Sequence, residues 1–464
     1  MSTPEPRVAN IPLLLPEPEN KNLLNNKWIG GLMRSRWYPG IFQWPTLIVF
    51  AFIMLQLLLG PLGAHDNFGT ALTWVLWWPL IPIMFLGLGR FWCAICPFAT
   101  VNDLVQQFVG NNRPVPKFLK RYGIWIIDAL FILITWADHA FGIVESPRGS
   151  GILLLLLTTS VVFSGAFWQR RTFCRYVCFL GGLAGNYARS GMLALRGTPA
   201  ICRTCTVAAC YKGGPAAPGC PMFEFPKTMT SNASCNLCAY CLKNCPNGSI
   251  QLTLRKPTQE LWFIQKPKLE EAFLAAVIMG IVFVQNVTML ELWQSTLAWI
   301  EAATGIQNYL FIFTLTFVIA MAIPVGLVAL AAWGTQKLNG VPMAQNFARF
   351  GYALIALDVA AHMAHNLFHL LAEGKNIVFT ALALFGREVH GVSPALVDAG
   401  TIQALQFGLI GLGLAGSLYT AYRIARHAGG ERKPLITFLP FAALMTLLAI
   451  VNVGLFMLPM AMRM

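Results

Sequence analysis

Cys235-Asn-Leu-Cys238-Ala-Tyr-Cys241-Leu-Lys-Asn-Cys245-Pro246 decides how this chain is read. Three thiols separated by gaps of two residues can wrap one face of an iron–sulfur cubane, and a fourth before proline typically ligates a second cluster. Zinc sites use pairs of Cys-x-x-Cys, not three short gaps in a row. Upstream lies Cys202-x-x-Cys205-x-x-x-x-Cys210, then Cys220-Pro221, which keeps the ending but stretches the spacing. Two such runs predict two [4Fe–4S] clusters with exchanged last ligands. Cys202, Cys205, Cys210 and Cys245 would hold one, and Cys235, Cys238, Cys241 and Cys220 the other.

All 12 cysteines of the 464-residue chain fall between Cys93 and Cys245. That clustering, in metal-ligand spacings, argues against a secreted disulfide framework and for a reducing compartment. Between Gln169 and Lys268 there are thirteen Lys or Arg against two acids, Glu224 and Glu260. Such a basic stretch suits the cytoplasmic side of a membrane, a solvated face, or docking of an acidic redox partner. Cysteine motifs interrupt it and apolar runs flank it, so no nucleic-acid partner is expected.

Outside that stretch the chain is apolar: 56% of all residues are hydrophobic and 11% charged, against about 25% charged in a typical soluble domain. Nine apolar segments of spanning length are expected, near 41–63, 70–89, 122–137, 151–168, 272–290, 308–333, 350–371, 402–422 and 435–460. Asp128 and Asp358 are the carboxylates inside them. One set of loops carries Lys27, Arg34, Arg36, Arg113, Lys117, Lys120, Arg121, the basic insert, Lys337, Arg349, Arg423, Arg426, Arg432 and Lys433. The other carries Asp66, Asp138, Glu145, Glu291, Glu301, Glu373, Glu388 and Asp398. The positive-inside rule then places the N-terminus and insert in the cytoplasm and Met464 outside. The first 40 residues are polar and mildly basic with no long apolar core, so no cleavable leader is expected.

The fold class expected is therefore mainly α: a polytopic membrane protein of about nine spans with an inserted cytoplasmic two-cluster ferredoxin-like domain. Its divisions are 1–40, a cytoplasmic N-terminal segment; 41–168, a four-helix membrane domain; 169–268, the ferredoxin-like domain; and 269–464, about five further spans with a histidine-bearing helix.

Two cysteine pairs close spans at the cytoplasmic edge: Cys93-x-x-Cys96-Pro97 and Cys174-x-x-x-Cys178. Both follow a span of the same direction, which suggests a duplicated hairpin. They read as a metal or cluster site, as redox-active dithiols, or as structural cysteines. Arg170, Arg171 and Arg175 beside the second pair would favour thiolates.

These pairs and the ferredoxin runs together resemble the NapH/NosR/CcoG group of membrane polyferredoxins, over about Ile41 to Lys268. The group's pairs read Cys-x-x-x-Cys-Pro; here the first is one residue shorter and Phe179 follows the second. The resemblance implies a bacterial cytoplasmic membrane, quinol oxidation with electron supply to reductases, or metal-centre maturation. A quinol dehydrogenase or oxidoreductase subunit is the enzyme class implied. The spans after the insert lie outside it.

The seventh span reads Leu357-Asp358-Val-Ala-Ala-His362-Met-Ala-His365-Asn-Leu-Phe-His369. Steps of four, three and four place Asp358, His362, His365 and His369 on one helix face. Ionisable groups inside a membrane are costly and by default functional. The readings open are a haem b ligand, a quinol or proton site, a copper, iron or zinc site, and a hydrogen-bonded seam between helices. The scattered His65, His139, His390 and His427 read as solvated loop residues, His390 as a group that could approach His369.

No phosphate-binding glycine loop or nucleophilic triad stands out. Gly181, Gly182 and Gly185, and Gly334 and Gly340, read as packing or loop glycines. The leading expectation is a respiratory-complex subunit relaying electrons between membrane quinone and a redox partner through two clusters. The alternative is a metal-centre maturation or metal-reducing factor working through the membrane-edge cysteines.

Overall fold

In an apolar surround a chain satisfies every backbone N–H and C=O by coiling. The computed structural model, which describes residues 22–264, 266–427 and 434–460, is accordingly mostly helical. Among the described residues nine helices are long and apolar enough to cross a membrane, close to the expected positions. Arg432, Lys433, Met464 and the first 21 residues lie outside the described residues.

The first half contains α1 (Gly40–Leu59), α2 (Trp78–Leu88), α3 (Pro97–Val109), α4 (Lys117–Phe141), α5 (Pro147–Phe167) and α6 (Phe179–Ser190). A π-helical stretch, Ala71–Trp77, leads into α2. Such turns widen a helix and often sit at functional sites. Pro147 at the first position of α5 and the Ser146 hydroxyl accepting from the Gly149 amide (3.1 Å) start that helix.

The hairpin repeats. α2 turns at Gly89, whose φ of +59 suits glycine, and then delivers Cys93 and Cys96 to the start of α3. α5 turns at Arg171, also left-handed, and delivers Cys174 and Cys178 to the start of α6.

α6 then does something the division at residue 169 does not anticipate. It returns among the spans, packing on α2 and α4, so Leu183, Ala184 and Tyr187 are buried. Gly182 allows the approach: a Cβ there would stand 2.5 Å from the Ile127 side chain. The ferredoxin-like unit proper begins at β1 (Leu193–Gly197), which pairs antiparallel with β2 (Ile250–Leu254), Leu195 opposite Leu252. Between them run the eight cysteines of the ferredoxin motifs. Residues 22–39 belong to this unit's core: Leu24 and Tyr38 pack with Leu195, Leu237 and Ile250. The Tyr38 hydroxyl donates to the Leu237 carbonyl at 2.7 Å.

Glu260 ties the unit's base together. It accepts from the Asn232 amide (3.0 Å), the Ser231 hydroxyl, Arg196 (3.1 Å) and Arg255. The basic stretch is thus only partly a surface. Arg170 and Arg171 pair with Asp103, Arg189 with Glu271, and Arg196 and Arg255 with Glu260.

The second half contains α7 (Leu269–Thr288), α8 (Glu291–Thr304), α9 (Tyr309–Asn339), α10 (Ile355–Glu373), α11 (Ala399–His427) and α12 (Pro434–Met457). α7 is the central staff, packing on α4, α9 and α10. α10 lies close along α11, because a Cβ at Gly413 would meet that of Ala360 at 2.4 Å. Small residues permit such backbone approach where helices lack a hydrophobic drive to pair. The end of α7 meets the end of α12: the Glu291 amide donates to the Pro459 carbonyl at 3.2 Å. Both ends therefore share a side, as nine spans require.

Candidate iron–sulfur centres and the buried histidine helix

The ferredoxin cysteines gather in two groups of four. Cys202 Sγ stands 2.9 Å from Ser249 Oγ, and the Ser249 amide donates to Cys245 Sγ at 3.3 Å. Burial, then the thiols of Cys245, Cys202 and Cys205, push the Cys210 thiol up to about 11. Cys245, last of the downstream run, thus stands with the three upstream cysteines. The second group, Cys220, Cys235, Cys238 and Cys241, lines one cavity with Leu195, Met229 and Leu237. Burial and mutual repulsion push Cys238 up to about 11, and burial pushes Cys235 up to about 12.

The backbone is bent to serve these sulfurs. Ala208, Leu237 and Ala239 are left-handed, at about 1–2 kcal/mol each for a residue with a side chain. Such turns aim amides inward as anion-binding nests. The Ala208 and Val207 amides point at Cys205, Leu237 at Cys235, and Tyr240 at Cys238.

The donor set fits an iron–sulfur core. Thiols buried together resist ionising, and a bound metal deprotonates them outright. Among the described residues no three His, Cys, Asp or Glu side chains are set to hold a single metal ion. Four thiolates on one zinc stand within roughly 4 Å of each other, whereas a cubane is gripped at its corners.

The cysteines at the two hairpin turns form a third gathering. Burial, then Cys178 and further on Cys93, push the Cys174 thiol up to about 12. Burial, then Cys96 and Cys93, push Cys178 up to about 12. Of the neighbouring arginines, Arg171 acts on the Cys174 thiol in the expected direction, its charge opposing the effect of burial. Arg170 and Arg171 reach Asp103 at 2.8 and 2.7 Å, and Arg175 lies over Tyr176 and Phe223. The cation that touches a thiol is Arg90, whose Nε donates to Cys93 Sγ at 3.4 Å.

On α10 the face predicted for Asp358, His362, His365 and His369 meets different neighbours along its length. His362 Nδ1 is 3.1 Å from the Tyr187 hydroxyl, which also lies 3.3 Å from the Asp358 carbonyl. His365 Nδ1 is 2.7 Å from Asn286 Oδ1, and Asn286 donates to Asn452. His369 Nδ1 is 3.4 Å from Glu373, its ring 5.2 Å from that of His365. His390 is exposed beside Glu388, at 3.1 Å, and His139 Nδ1 meets the Thr135 carbonyl at 2.9 Å. The His427 ring stands edge-on to Phe263.

Asp358 is 0% exposed and His362 2%, yet both carboxylate oxygens of Asp358 and His362 Nε2 have no hydrogen-bond partner in the structure. The same holds for the indole nitrogens of Trp77 and Trp92. These groups are linked. Ring centroids run Trp92 to Trp77 at 5.5 Å, Trp77 to Trp78 at 5.8 Å, and Trp78 to His362 at 5.9 Å. Sequence reasoning missed Tyr187 and these tryptophans, since aromatic residues in apolar spans carry no periodic mark.

A family model described as a 4Fe-4S binding domain matches residues 70–116 and again 150–196. These two stretches are similar to 4Fe–4S binding domains. The two matches cover the repeated hairpins, with Cys93 and Cys96 in one and Cys174 and Cys178 in the other. No curated protein and no solved structure matches the chain. Iron–sulfur binding and nine spanning-length helices fit a multi-pass electron-transfer protein.

Proposed function

We propose that this protein relays electrons between the quinone pool of a bacterial cytoplasmic membrane and a redox partner, as a respiratory-complex subunit. The observation that carries the reading is the exchange of the last cysteines between two groups of four thiols. Cys202, Cys205, Cys210 and Cys245 would hold one [4Fe–4S] cluster, and Cys220, Cys235, Cys238 and Cys241 the other. Each cluster supplies one-electron redox chemistry when bound. The surrounding residues set its potential: amide nests and buried arginines favour the more negative, reduced form. The N-terminus and the ferredoxin-like unit face the cytoplasm in this reading, where the exposed bases suit an acidic partner.

The membrane end of the relay is His362 with Asp358 and Tyr187. Oxidising a quinol to a quinone releases two electrons and two protons. A carbonyl can only accept, so the arrangement using both Tyr187 contacts has its hydroxyl donating to the Asp358 carbonyl and His362 Nδ1–H donating to the tyrosine oxygen. That leaves His362 Nε2 as a bare proton acceptor.

The test is anaerobic addition of a quinol to the protein in liposomes. Bleaching of the cluster absorbance, reversed by quinone, is expected. Clusters that bleach with dithionite but never with quinol would remove the quinone end of the reading.

A further inference from the structure

We propose that the face around Cys205 is where an acidic, soluble one-electron carrier docks, so that the cluster of Cys202, Cys205, Cys210 and Cys245 is the one that trades electrons outside the protein. The inference rests on the electron-transfer reading and says where its partner sits.

The two thiol groups differ in what covers them. Cys238 of the second group is 6% exposed and packs on Ala94 and Ile95 of the first hairpin turn. Cys241 of that group lies near enough to Cys210 of the first for their charges to interact. The order outward from the hairpin turns is therefore the second group, the first group, then solvent. At the solvent end Cys205 opens into a cleft of about 650 Å³, with Ile201, Val207 and Asn247 among its walls.

This face has an apolar centre and a basic rim. Val207 is 56% exposed, Ile201 36% and Tyr211 37%. Apolar side chains grouped inside a polar rim mark an interaction site. Around them Arg203, Lys212 and Lys227 are exposed. Lys227 Nζ donates to the Arg203 and Cys205 carbonyls, both at 3.3 Å, which fixes one of these charges beside the cleft. From Gly191 to Ile264 the acids are Glu224 and Glu260. Glu260 is buried against Arg196 and Arg255, and Glu224 lines the second group's cavity. The rim is thus not cancelled by a carboxylate of its own unit, and an acidic surface is its complement.

Electron-transfer encounters bury little surface, under about 1,200 Å² in total, so a compact centre steered by charge suits them. One electron passes between the cluster and the carrier, and no bond is made or broken.

The full chain in lipid nanodiscs, its clusters reduced and excess reductant removed, is mixed in a stopped flow with one of two oxidised haem proteins, an acidic cytochrome b or the basic cytochrome c. Cluster reoxidation by the acidic protein should slow as salt rises from about 20 to about 200 mM. R203E/K212E, which leaves Lys227 on its carbonyls, should slow that reaction about 10-fold and speed the one with cytochrome c. K337E/R426E, the same charge change at exposed positions of α9 and α11, should keep the wild-type rate. V207D, which charges the apolar centre and removes no base, gives a second reading and should also slow the acidic protein. Iron content, and reoxidation by quinone at the other end of the relay, should be equal in all these proteins. Equal slowing by R203E/K212E and K337E/R426E would mean that net charge alone steers the carrier. Unchanged rates in R203E/K212E and V207D would mean that electrons leave elsewhere. Either result overturns the proposal. If quinone never reoxidises the wild type while the haem-protein pattern holds, the quinone end of the reading falls and this docking face stands.

Discussion

The Tyr187 hydroxyl and His362 Nδ1, 175 positions apart in the chain, meet at 3.1 Å where α6 folds back against α10. The tyrosine thereby selects which imidazole nitrogen is left bare. H362F should slow quinol-driven cluster reduction on the order of 100-fold while dithionite reduction is unchanged, because the proton acceptor is lost, together with the Tyr187 hydrogen bond, and the cluster cysteines are untouched. Y187F should cost less rate and about 1 kcal/mol of stability. Stopped-flow bleaching with each reductant separates the two, and equal slowing with both would mean the helix is merely structural.

The grouping of thiols predicts which variants resemble each other. C245S lies ten residues or fewer from Cys235, Cys238 and Cys241, yet it should lose the same cluster as C202S. C220S should instead lose the one that C235S loses. Paramagnetic resonance of the reduced variants checks this: C245S and C202S should show the same residual spectrum. If C245S matched C235S, ligation would follow the runs and not cross between them.

How much of this was legible depends on the range of the interaction. The ferredoxin runs and the long apolar helices are local patterns, and the Cys-Pro endings already suggest that Cys245 stands near the upstream thiols and Cys220 near the downstream ones. That Arg171 divides its charge between Cys174 and Asp103 is not legible locally, because Asp103 sits 68 positions earlier on α3. The sequence leaves the N-terminal segment apart because nothing near Tyr38 marks its contact with Leu237, 199 positions on. Apolar density falls at residue 169, whereas α6, punctuated by Asn186 and Arg189, buries its small residues among the long apolar helices. The mixed surroundings of the α10 histidines were hidden because helical spacing reports which residues share a face, not what faces them.

Asp103 clamps the two hairpins together by accepting from both Arg170 and Arg171, the latter 1% exposed and also donating to the Cys93 carbonyl at 3.2 Å. D103N leaves a buried guanidinium without its carboxylate, a change that costs about 3–5 kcal/mol. The midpoint for thermal loss of helical signal should fall by several degrees, and D103E should recover part of it. An unchanged midpoint in D103N would show that the arginines find other anions.

Glu260 carries the pH dependence of the ferredoxin-like unit. Burial opposes its ionisation, but the guanidiniums of Arg255 and Arg196 hold its carboxyl down to about 2. An unfolded glutamate titrates at about 4.3. The folded state therefore binds its proton less readily, and the ion pairs stabilise the fold fully above that value. As pH falls from about 4.3 towards 2 the contribution, on the order of 3 kcal/mol, is lost. E260Q should lower the thermal midpoint at pH 7, because it leaves Arg196 and Arg255 without their carboxylate. The gap between wild type and E260Q should then narrow as pH drops below about 4.3. Midpoints from circular dichroism at pH 7, 5, 4 and 3 give the comparison, with both proteins sharing any acid loss of iron. A gap constant across that range would mean that Glu260 acts through shape and hydrogen bonding alone.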